Sequence, residues 1–328
     1  MQNKQLVPSL RQMPLISFII TYYNIPLHML KECVESLLSL SLNNEEFEII
    51  LIDDGSDQNP MDYLAKQGNR IKYIRQDNAG LSEARNKGIS IANGKYIQFI
   101  DGDDTIIKSG YEKCISLLKR NEVDMLIFKL SNKTTESKDN SYRITTGPNH
   151  LRDSNIHATA CGYLFKKSIL HKLRFTKSIY HEDEEFTPLL LLQANRIICT
   201  NINAYYYRER PRSITSSKNQ HDVIKRITDL KFIIKELNKK VQSFDNEYSL
   251  ALQRRMHQLT MDYIYKIMIE TNEIEYLNKE LKDLERLGLF PLPNKKYTIK
   301  YSLFRLLSKY KFGQIALIQI LPLLKRER

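Results

Sequence analysis

The chain has 328 residues and a net charge of +12, and 42% of its residues are hydrophobic. This apolar content is too high for a disordered chain, and at roughly 150 residues per domain the length predicts about two domains. The N-terminal residues lack the apolar core of a secretory signal, and no apolar run reaches the roughly 18 residues that a membrane-spanning helix needs. The four cysteines are widely separated, so the sequence predicts neither a zinc site nor a disulfide framework and fits a reducing cytosol.

The first hundred residues alternate between short apolar runs and helical apolar stripes. Strands are predicted at 15–20, 47–52, 71–75 and 96–100, and helices at 30–38, 61–67 and 82–92. This alternation predicts a mostly parallel sheet flanked by helices, an α/β fold with right-handed crossovers. Ligands bind beyond the carboxyl ends of such strands. Thr21, Asp53 and the run 101–104 follow three of the strands, so we expect them at one edge of the sheet.

The rest of the chain becomes progressively helical. Further elements are predicted as a helix at 111–120, a strand at 124–129, a polar exposed loop at 131–150, a helix around 186–194 and an edge strand at 204–208. Beyond residue 221 the pattern is helical throughout, with one stripe running from Ile224 to Leu237 and a second through Leu259, Tyr263 and Ile267. Gly288 and Pro291 end that block. The sequence therefore predicts a helical C-terminal region after the sheet.

The run Asp101-Gly-Asp-Asp104 carries three carboxylates within four residues. Such carboxylates repel each other unless a cation is present, and a hard divalent ion with oxygen ligands is the usual solution. For an isolated acidic motif of this kind, a solvated turn is the favoured explanation. A calcium loop is excluded because Ile106 stands where its turn needs glycine. The strand upstream and the neighbouring strand ends favour a site for a metal and a diphosphate.

The run Asp53-Asp-Gly-Ser56 follows another predicted strand. Its carboxylates could accept hydrogen bonds from a nucleotide base or ribose, or the run could be a turn with a helix cap. The sequence contains neither GxGxxG nor GxxxxGK[ST], the two glycine-rich phosphate-binding loops. A nucleotide bound here would therefore need a metal ion to neutralise its diphosphate.

Five segments carry a recognisable series of motifs in a consistent order. They are residues 14–24, 52–56, 78–86, 94–104 and 181–186. Together they resemble the family 2 glycosyltransferases of the GT-A fold. The resemblance covers about residues 14–216, which suggests a catalytic domain at 1–216 and a helical C-terminal region at 217–328. The segment 205–215 is also similar to the family, although Arg212 stands where glycine is common.

The resemblance implies an inverting, metal-dependent transferase for a hexosyl or N-acetylhexosaminyl group. Its donor would be a nucleotide-diphosphate sugar, most commonly a UDP-sugar, and its acceptor a hydroxyl of a glycan or lipid-linked saccharide in cell-surface polysaccharide synthesis. The implied donor-binding residues are Thr21, Tyr23, Asp53, Asp54, Arg85 and Asp101. Asp103, together with Asp101, would bind Mn²⁺ or Mg²⁺, whereas Asp104 is either a further ligand or a supporting group.

An inverting transfer also needs a base that deprotonates the acceptor hydroxyl. The acidic run after His181 is the candidate, although on its own it is better explained as the solvated start of a helix. The family resemblance assigns Asp183 as the base and leaves Glu182 as the alternative. His181 is interpreted as a neighbour of the base.

The last 34 residues, 295–328, hold nine basic residues and one acidic residue, which is +8 of the net +12. Aliphatic and aromatic side chains alternate with the basic ones. This pattern suits a helix lying on an anionic membrane surface, and it suits equally a basic helix packed on the catalytic domain. The expected location is the cytoplasm, with peripheral contact to the inner face of the plasma membrane as one reading.

Other functions fit the sequence less well. A catalytically inactive nucleotide-sugar-binding module would lack one of the carboxylates, yet all of those positions are filled. Nucleic-acid binding is suggested by the pI of 9.3, but no reader motif is present and the basic residues are concentrated in an apolar tail. A nucleotidyltransferase acting on sugar phosphates would need a glycine-rich basic loop near the start of the chain. We therefore expect no nucleic-acid partner.

Overall fold

The computed structural model describes residues 13–209 and 219–326. The described residues form two compact units. The first contains residues 13–143, 161–171 and 198–208, and the second contains 144–160, 172–197, 209 and 219–326. Arg212 and residues 1–12, where the sequence predicts no secretory signal, lie outside the described residues.

The first unit is built on a mixed sheet, for which nine strands are found in the described part of the chain. The strands are β1 (Ile16–Tyr22), β2 (Phe47–Asp53), β3 (Ile71–Arg75), β4 (Tyr96–Asp101), β5 (Thr105–Ile106), β6 (Met125–Ser131), β7 (Tyr142–Thr145), β8 (Tyr163–Lys166) and β9 (Ile197–Tyr206). Their order is β3-β2-β1-β4-β8-β6-β9-β5, and β7 pairs with β9. The four strands from β3 to β4 are parallel, as the sequence predicts. Strand β8 runs antiparallel to both β4 and β6, and β9 runs antiparallel to β5.

Helices accompany both units. They are α1 (Leu27–Leu38), α2 (Met61–Leu64), α3 (Leu81–Ile91) and α4 (Lys108–Arg120) in the first unit, and α5 (Gly147–Asp153), α6 (Asp183–Leu192), α7 (Gln220–Ser243), α8 (Asn246–Glu270), α9 (Ile274–Arg286), α10 (Ile299–Ser308) and α11 (Lys311–Arg326) in the second. A 3₁₀ segment, Ala65–Arg70, follows α2. Among the described helices, none combines the length and apolar character that crossing a bilayer requires.

The core of the first unit lies around β1, whose seven residues are all buried. A strand between two parallel neighbours, β2 and β4, has little access to solvent, which explains why its sequence is mostly apolar apart from Ser17 and Thr21. The predicted stripe of α1 is confirmed, because Leu30, Cys33, Val34 and Leu37 are buried. These elements hold the ends of β1, β2 and β4 at a fixed edge of the sheet.

The second unit is organised around α8, which packs against α7, α5 and α11. Its predicted stripe is confirmed, because Leu259, Tyr263 and Ile267 are buried. The stripe predicted on α7 is buried from Ile227 onward, but Ile224 is 49% exposed, so the prediction is wrong for that residue. Ile224 lies in the first turns of α7, one helical turn before the packed stripe begins.

The exposed loop predicted at 131–150 is wrong for its final residues, which form β7 and begin α5. Thr146 caps α5 by accepting a hydrogen bond from the Asn149 N–H at 3.2 Å, and Pro148 lies in the first turn. A threonine cap followed by proline is a usual helix start. The helix was not predicted because its two turns are too short to show an apolar stripe and its sequence is mostly polar.

Candidate active site

Three strands of the parallel part of the sheet end side by side. Thr21 on β1 is the register partner of Asp101 on β4, and the next residue of β1, Tyr22, is the partner of Asp53 on β2. The expected meeting of these strand ends is therefore confirmed. The side chains differ in access, because Thr21 is buried whereas Tyr23 is 50% exposed. The exposed Tyr23 ring offers an apolar face at the edge where ligands of parallel sheets bind.

Asp53 is fully buried, and its carboxylate accepts three hydrogen bonds. The donors are the Ser56 N–H at 2.8 Å, the Tyr73 hydroxyl at 2.7 Å and the Arg75 guanidinium at 2.9 Å. Burial, followed by the hydrogen bond to Asp53, raises the pKa of Tyr73 to about 12, so this phenol remains a donor. Asp53 thereby ties the end of β3 to the turn that follows β2.

Asp54 is also buried and accepts three hydrogen bonds. They come from the Gln76 amide at 2.8 Å, the Ala79 N–H at 2.9 Å and the Gly80 N–H at 2.8 Å. The carboxylate thus fixes the segment that leads from β3 into α3. The roles of Asp53 and Asp54 in donor binding stay a prediction, and their hydrogen bonds show that both carboxylates shape the edge of the sheet.

Asp101 combines partial exposure with a buried cationic partner. Its side chain is 33% exposed and lies 3.0 Å from the Arg85 guanidinium, whose own side chain is only 4% exposed. The guanidinium also lies 5.9 Å from the centre of the Phe99 ring, within the range of a cation–π interaction. Arg85 therefore reaches Asp101 from inside the unit and leaves the other side of the carboxylate toward solvent.

Asp104 is a buried support of the acidic loop. Its carboxylate accepts hydrogen bonds from the Tyr205 hydroxyl and from the Arg208 N–H, both at 2.8 Å. The Tyr205 hydroxyl in turn accepts from the Asp101 N–H at 3.1 Å. Burial, followed by the negative charge of Asp101, raises the pKa of Asp104 to about 8. The side chain thus holds the loop against β9, which supports the reading of Asp104 as a supporting group.

The carboxylates concentrate negative charge at this loop. After burial, the charges of Asp104, Asp103 and Asp101 are the next largest causes that raise the pKa of Cys33 beneath them. Within the described ranges there is no group of three or more histidine, cysteine, aspartate or glutamate side chains arranged to hold a metal ion. Two partly exposed carboxylates, Asp101 and Asp103, nevertheless fit Mg²⁺ or Mn²⁺, since such ions are often held by one or two carboxylates while substrate phosphates complete the shell.

The candidate base, Asp183, is the first residue of α6 in the second unit. It is partly exposed, whereas Glu182 before it is buried. His181 adopts a left-handed backbone with a φ of 62°, and its Nε2 lies 3.0 Å from the Lys266 ammonium nitrogen. Burial, followed by the charge of Lys266, lowers the pKa of His181 to about 4. His181 is therefore neutral beside the start of α6, and the role of Asp183 or Glu182 as base stays a prediction.

Two other members of this acidic run have structural partners in the second unit. Glu184 forms an ion pair with Arg255 of α8, and Glu185 accepts a hydrogen bond from the Thr176 hydroxyl at 2.6 Å. Both contacts hold the N-terminal turn of α6 within the unit. Three acidic residues in the first turn also suit the positive end of the helix dipole.

The sequence motifs did not indicate the supporting roles of Arg75 and Tyr205. Arg75 ends β3 and is the register partner of Asp53. The rule that site residues lie at the carboxyl ends of parallel strands would have suggested Arg75 if it had been applied to β3 as well. Tyr205 reaches the acidic loop because β9 pairs with β5, where Ile106 is its partner. No local signal announces that pairing, because β5 has only two residues.

Comparison with known proteins adds independent information. The family model for glycosyl transferase family 2 matches residues 17–174. The uncharacterized glycosyltransferase EpsJ of Bacillus subtilis (strain 168) is 31% identical over 62% of this chain and 63% of its own length. Glycosyltransferase GlyG of Streptococcus pneumoniae serotype 4 is 31% identical over 61% of this chain and 72% of its own. The minor teichoic acid biosynthesis protein GgaB of B. subtilis is 30% identical over 79% of this chain, which spans only 31% of GgaB.

Solved structures show the same fold. S. aureus TarS 1–349, in a crystal structure with UDP-GlcNAc, superposes with a TM-score of 0.66 and 18% identity, covering 95% of this chain and 91% of that chain. Mannosyltransferase PcManGT from Pyrobaculum calidifontis, solved with GDP-Man and Mn²⁺, gives 0.51 and 12% identity over 95% and 88%. The GT-A fold expected from the sequence motifs is confirmed. This chain belongs to glycosyl transferase family 2.

Proposed function

We propose that this chain is an inverting glycosyltransferase that moves a sugar from a nucleoside diphosphate, in the first instance a UDP-sugar, to a hydroxyl of a glycan or lipid-linked saccharide. The observation that carries the proposal is the register of Thr21, Asp53 and Asp101 at one sheet edge, with the partly exposed Asp103 two residues away. The UDP-GlcNAc complex of TarS supports the donor class, and the teichoic acid role of GgaB supports a role in cell-wall polysaccharide synthesis.

The donor-binding residues divide into groups that touch the nucleotide and groups that support them. Tyr23 is exposed enough to stack on a base beside Thr21, whereas Asp53 and Asp54 are occupied by backbone and side-chain donors. We therefore assign Thr21 and Tyr23 to contact with the nucleoside, and Asp53 and Asp54 to the walls around it. The ion pair with Arg85 positions Asp101 for ribose, sugar or metal.

When the diphosphate leaves, the site must stabilise charges that are absent from the bound donor. Negative charge grows on the leaving group while positive charge develops at the anomeric carbon. A divalent ion held by Asp103 and Asp101 would stabilise the leaving diphosphate. The Mn²⁺ in the PcManGT complex supports this assignment. A carboxylate charge near the anomeric carbon would stabilise the positive charge that develops there.

Inversion places the acceptor hydroxyl on the face of the sugar opposite the diphosphate, where a base must take its proton. Asp183 is the proposed base, with Glu182 as the alternative. Glu184 and Glu185 have structural roles, because Glu184 pairs with Arg255 and Glu185 accepts from the Thr176 hydroxyl. We further propose a catalytic domain at 1–216, a helical region at 217–328 and a cytoplasmic location, which suits four cysteines that form no disulfide.

Two variants separate donor binding from transfer. In Asp103→Asn, we expect calorimetry to show that Mn²⁺ no longer strengthens nucleotide-sugar binding, because the amide is a poor ligand for a hard cation.

In Asp183→Asn, we expect donor affinity within about twofold of the original chain and a fall in transfer rate of about a thousandfold, since a missing base lowers the rate by about 10²–10⁴. Glycosyl transfer is measured with radiolabelled UDP-sugars and a mixture of lipid-linked and soluble glycan acceptors.

Glu185→Gln is the matched control, because its amide oxygen still accepts from Thr176 and it lies two residues from Asp183. It should retain transfer within about threefold. If Asp183→Asn kept its turnover, the base would lie elsewhere. If the original chain bound nucleotide sugars but transferred none, the inactive binding module would be the correct function.

A further inference from the structure

Helices α10 and α11 each have a packed face in the second unit. Tyr301 and Phe304 of α10 are buried, and the Phe304 ring meets Tyr265 of α8 edge to face, with 6.4 Å between the ring centres. Leu317 and Ile318 of α11 are also buried. These buried residues fix each helix on the unit, and they determine which face of each helix points away from it.

The opposite face of each helix is apolar and exposed. The exposed apolar residues are Ile299 (89%), Leu303 (56%), Leu306 (53%) and Tyr310 (58%) along α10 and its end, and Phe312 (86%), Ile315 (48%), Ile320 (51%) and Leu323 (60%) along α11. Their spacing of three, four or five residues places each set on one side of its helix. We call these eight residues the tail surface. Large exposed apolar side chains concentrated on one side of a helix mark a site of interaction.

The segment that carries the tail surface has charges of one sign. Residues 295–326 contain eight basic residues and no acidic one. Lys300, Lys309 and Lys311 are exposed on the same two helices. A surface that combines exposed aliphatic and aromatic side chains with basic side chains complements a bilayer, because the acyl region accommodates the apolar groups and the anionic headgroups attract the basic ones.

We propose that the tail surface lies in the interface of an anionic membrane, with both helices parallel to the bilayer plane. The same segment thus packs on its own unit through one face and binds lipid through the other. Vesicle binding requires neither donor binding nor a catalytic base, so its test is independent of the proposed transfer reaction. It deepens the proposed function by placing the chain where lipid-linked acceptors reside.

Apolar contact is tested by sedimentation of the full chain with phosphatidylcholine vesicles that contain phosphatidylglycerol. Phe312→Ser with Ile315→Ser should reduce the partition coefficient roughly 100-fold, about tenfold for each side chain. Ile224→Ser is the matched control, because Ile224 on α7 is 49% exposed and Ile315 is 48% exposed. This control should bind vesicles like the original chain, and all three proteins should keep the same helical circular dichroism.

Charge attraction is tested with Lys309→Gln and Lys311→Gln together. At about 1 kcal/mol for each lysine near an anionic surface, binding should fall roughly 30-fold at low salt. Lys279→Gln with Lys282→Gln on α9, two exposed lysines, should leave binding unchanged. Equal binding to vesicles of phosphatidylcholine alone, or unchanged binding in both tail variants, would overturn the proposal. So would light scattering that shows the tail surface joining two copies of the chain without lipid.

Discussion

The buried and exposed carboxylates of the first unit have different tasks. Asp53, Asp54 and Asp104 are almost completely buried, and each accepts at least two hydrogen bonds from the protein. Asp101 and Asp103 keep part of their surface exposed. A buried carboxylate costs several kcal/mol unless donors compensate it, so the three supported side chains fix the backbone that presents the other two. The candidate site is therefore largely formed before a ligand arrives.

Asp53→Asn tests this supporting role. The amide nitrogen cannot accept the hydrogen bonds from Tyr73 and Arg75 that Oδ2 now accepts. We expect the free energy of unfolding to fall by about 2 kcal/mol, because hydrogen bonds to charged groups contribute about 1.5–3 kcal/mol and Arg75 is partly screened by solvent. Urea denaturation followed by circular dichroism measures the change.

Asp57→Asn provides the control for that substitution, because Asp57 belongs to the same turn and is exposed. Its effect on unfolding should stay within about 0.5 kcal/mol. If the two substitutions had equal effects, the hydrogen bonds of Asp53 would not be holding β3 to the turn after β2.

The strands differ in how far neighbouring residues in the sequence determine them. Strands β1 to β4 were predicted nearly to their bounds. Strands β1, β2 and β4 are mostly apolar and largely buried, whereas β3 combines apolar with basic residues and is only partly buried. Strand β8 was not predicted, since Tyr163–Lys166 is short and its place between β4 and β6 depends on distant pairing. The same distinction applies to the site. Asp53 and Asp101 follow strands and were predictable, whereas Tyr205 reaches Asp104 only through tertiary pairing.

The connection from β4 to β5 depends on a glycine at position 102. A Cβ atom there would lie 2.8 Å from the Thr21 carbonyl oxygen, which accepts the Gly102 N–H hydrogen bond at 3.0 Å. Gly102→Ala should therefore push the acidic loop away from β1. We expect a loss of about 2 kcal/mol in unfolding free energy, typical of overpacking in a close-packed interior, together with at least tenfold weaker nucleotide-sugar binding. Denaturation and calorimetry measure the two effects.

Gly68→Ala separates this steric effect from backbone strain. Gly68 has a φ of 60° and a ψ of −143°, a conformation essentially confined to glycine, and open space around its Cα. Alanine there should cost about 1–3 kcal/mol through backbone strain and leave donor binding unchanged. If Gly102→Ala bound donors as well as Gly68→Ala does, the position of the acidic loop would not govern donor affinity.

At the scale of the whole molecule, the two units are interleaved along the sequence. Residues 144–160 and 172–197 belong to the second unit although parts of the first follow them. A hydrophobic pattern read along the chain reports elements and their faces, and it carries no direct information on which distant segments share a core. The helical character of the C-terminal region was therefore predictable, while the membership of α5 and α6 in the same unit was not.

The second unit contains two buried histidines that make it sensitive to acid. Burial, followed by Lys266, lowers the pKa of His181, and burial, followed by Lys295, lowers that of His257, each to about 4 from 6.5. The unfolded chain therefore binds more protons than the folded chain between these two values. Stability should be independent of these groups above pH 6.5 and should fall as the pH drops toward 4. Each histidine should cost about 2–3 kcal/mol at the lower limit.

Glutamine variants isolate this contribution from that of the many carboxylates. His257→Gln keeps a polar partner for the Tyr297 hydroxyl, which lies 2.8 Å from the histidine Nδ1, but it cannot gain a charge. Its loss of unfolding free energy between pH 6.5 and 4 should be about 2–3 kcal/mol smaller than that of the original chain, and adding His181→Gln should reduce the loss again. His221→Gln is the control, because the His221 side chain is 83% exposed and should leave the pH profile parallel to the original. If unfolding free energy fell equally with pH in all variants, the prediction would be wrong. Both histidines would then bind protons in the folded chain as readily as in the unfolded chain, because the helices around α8 would open.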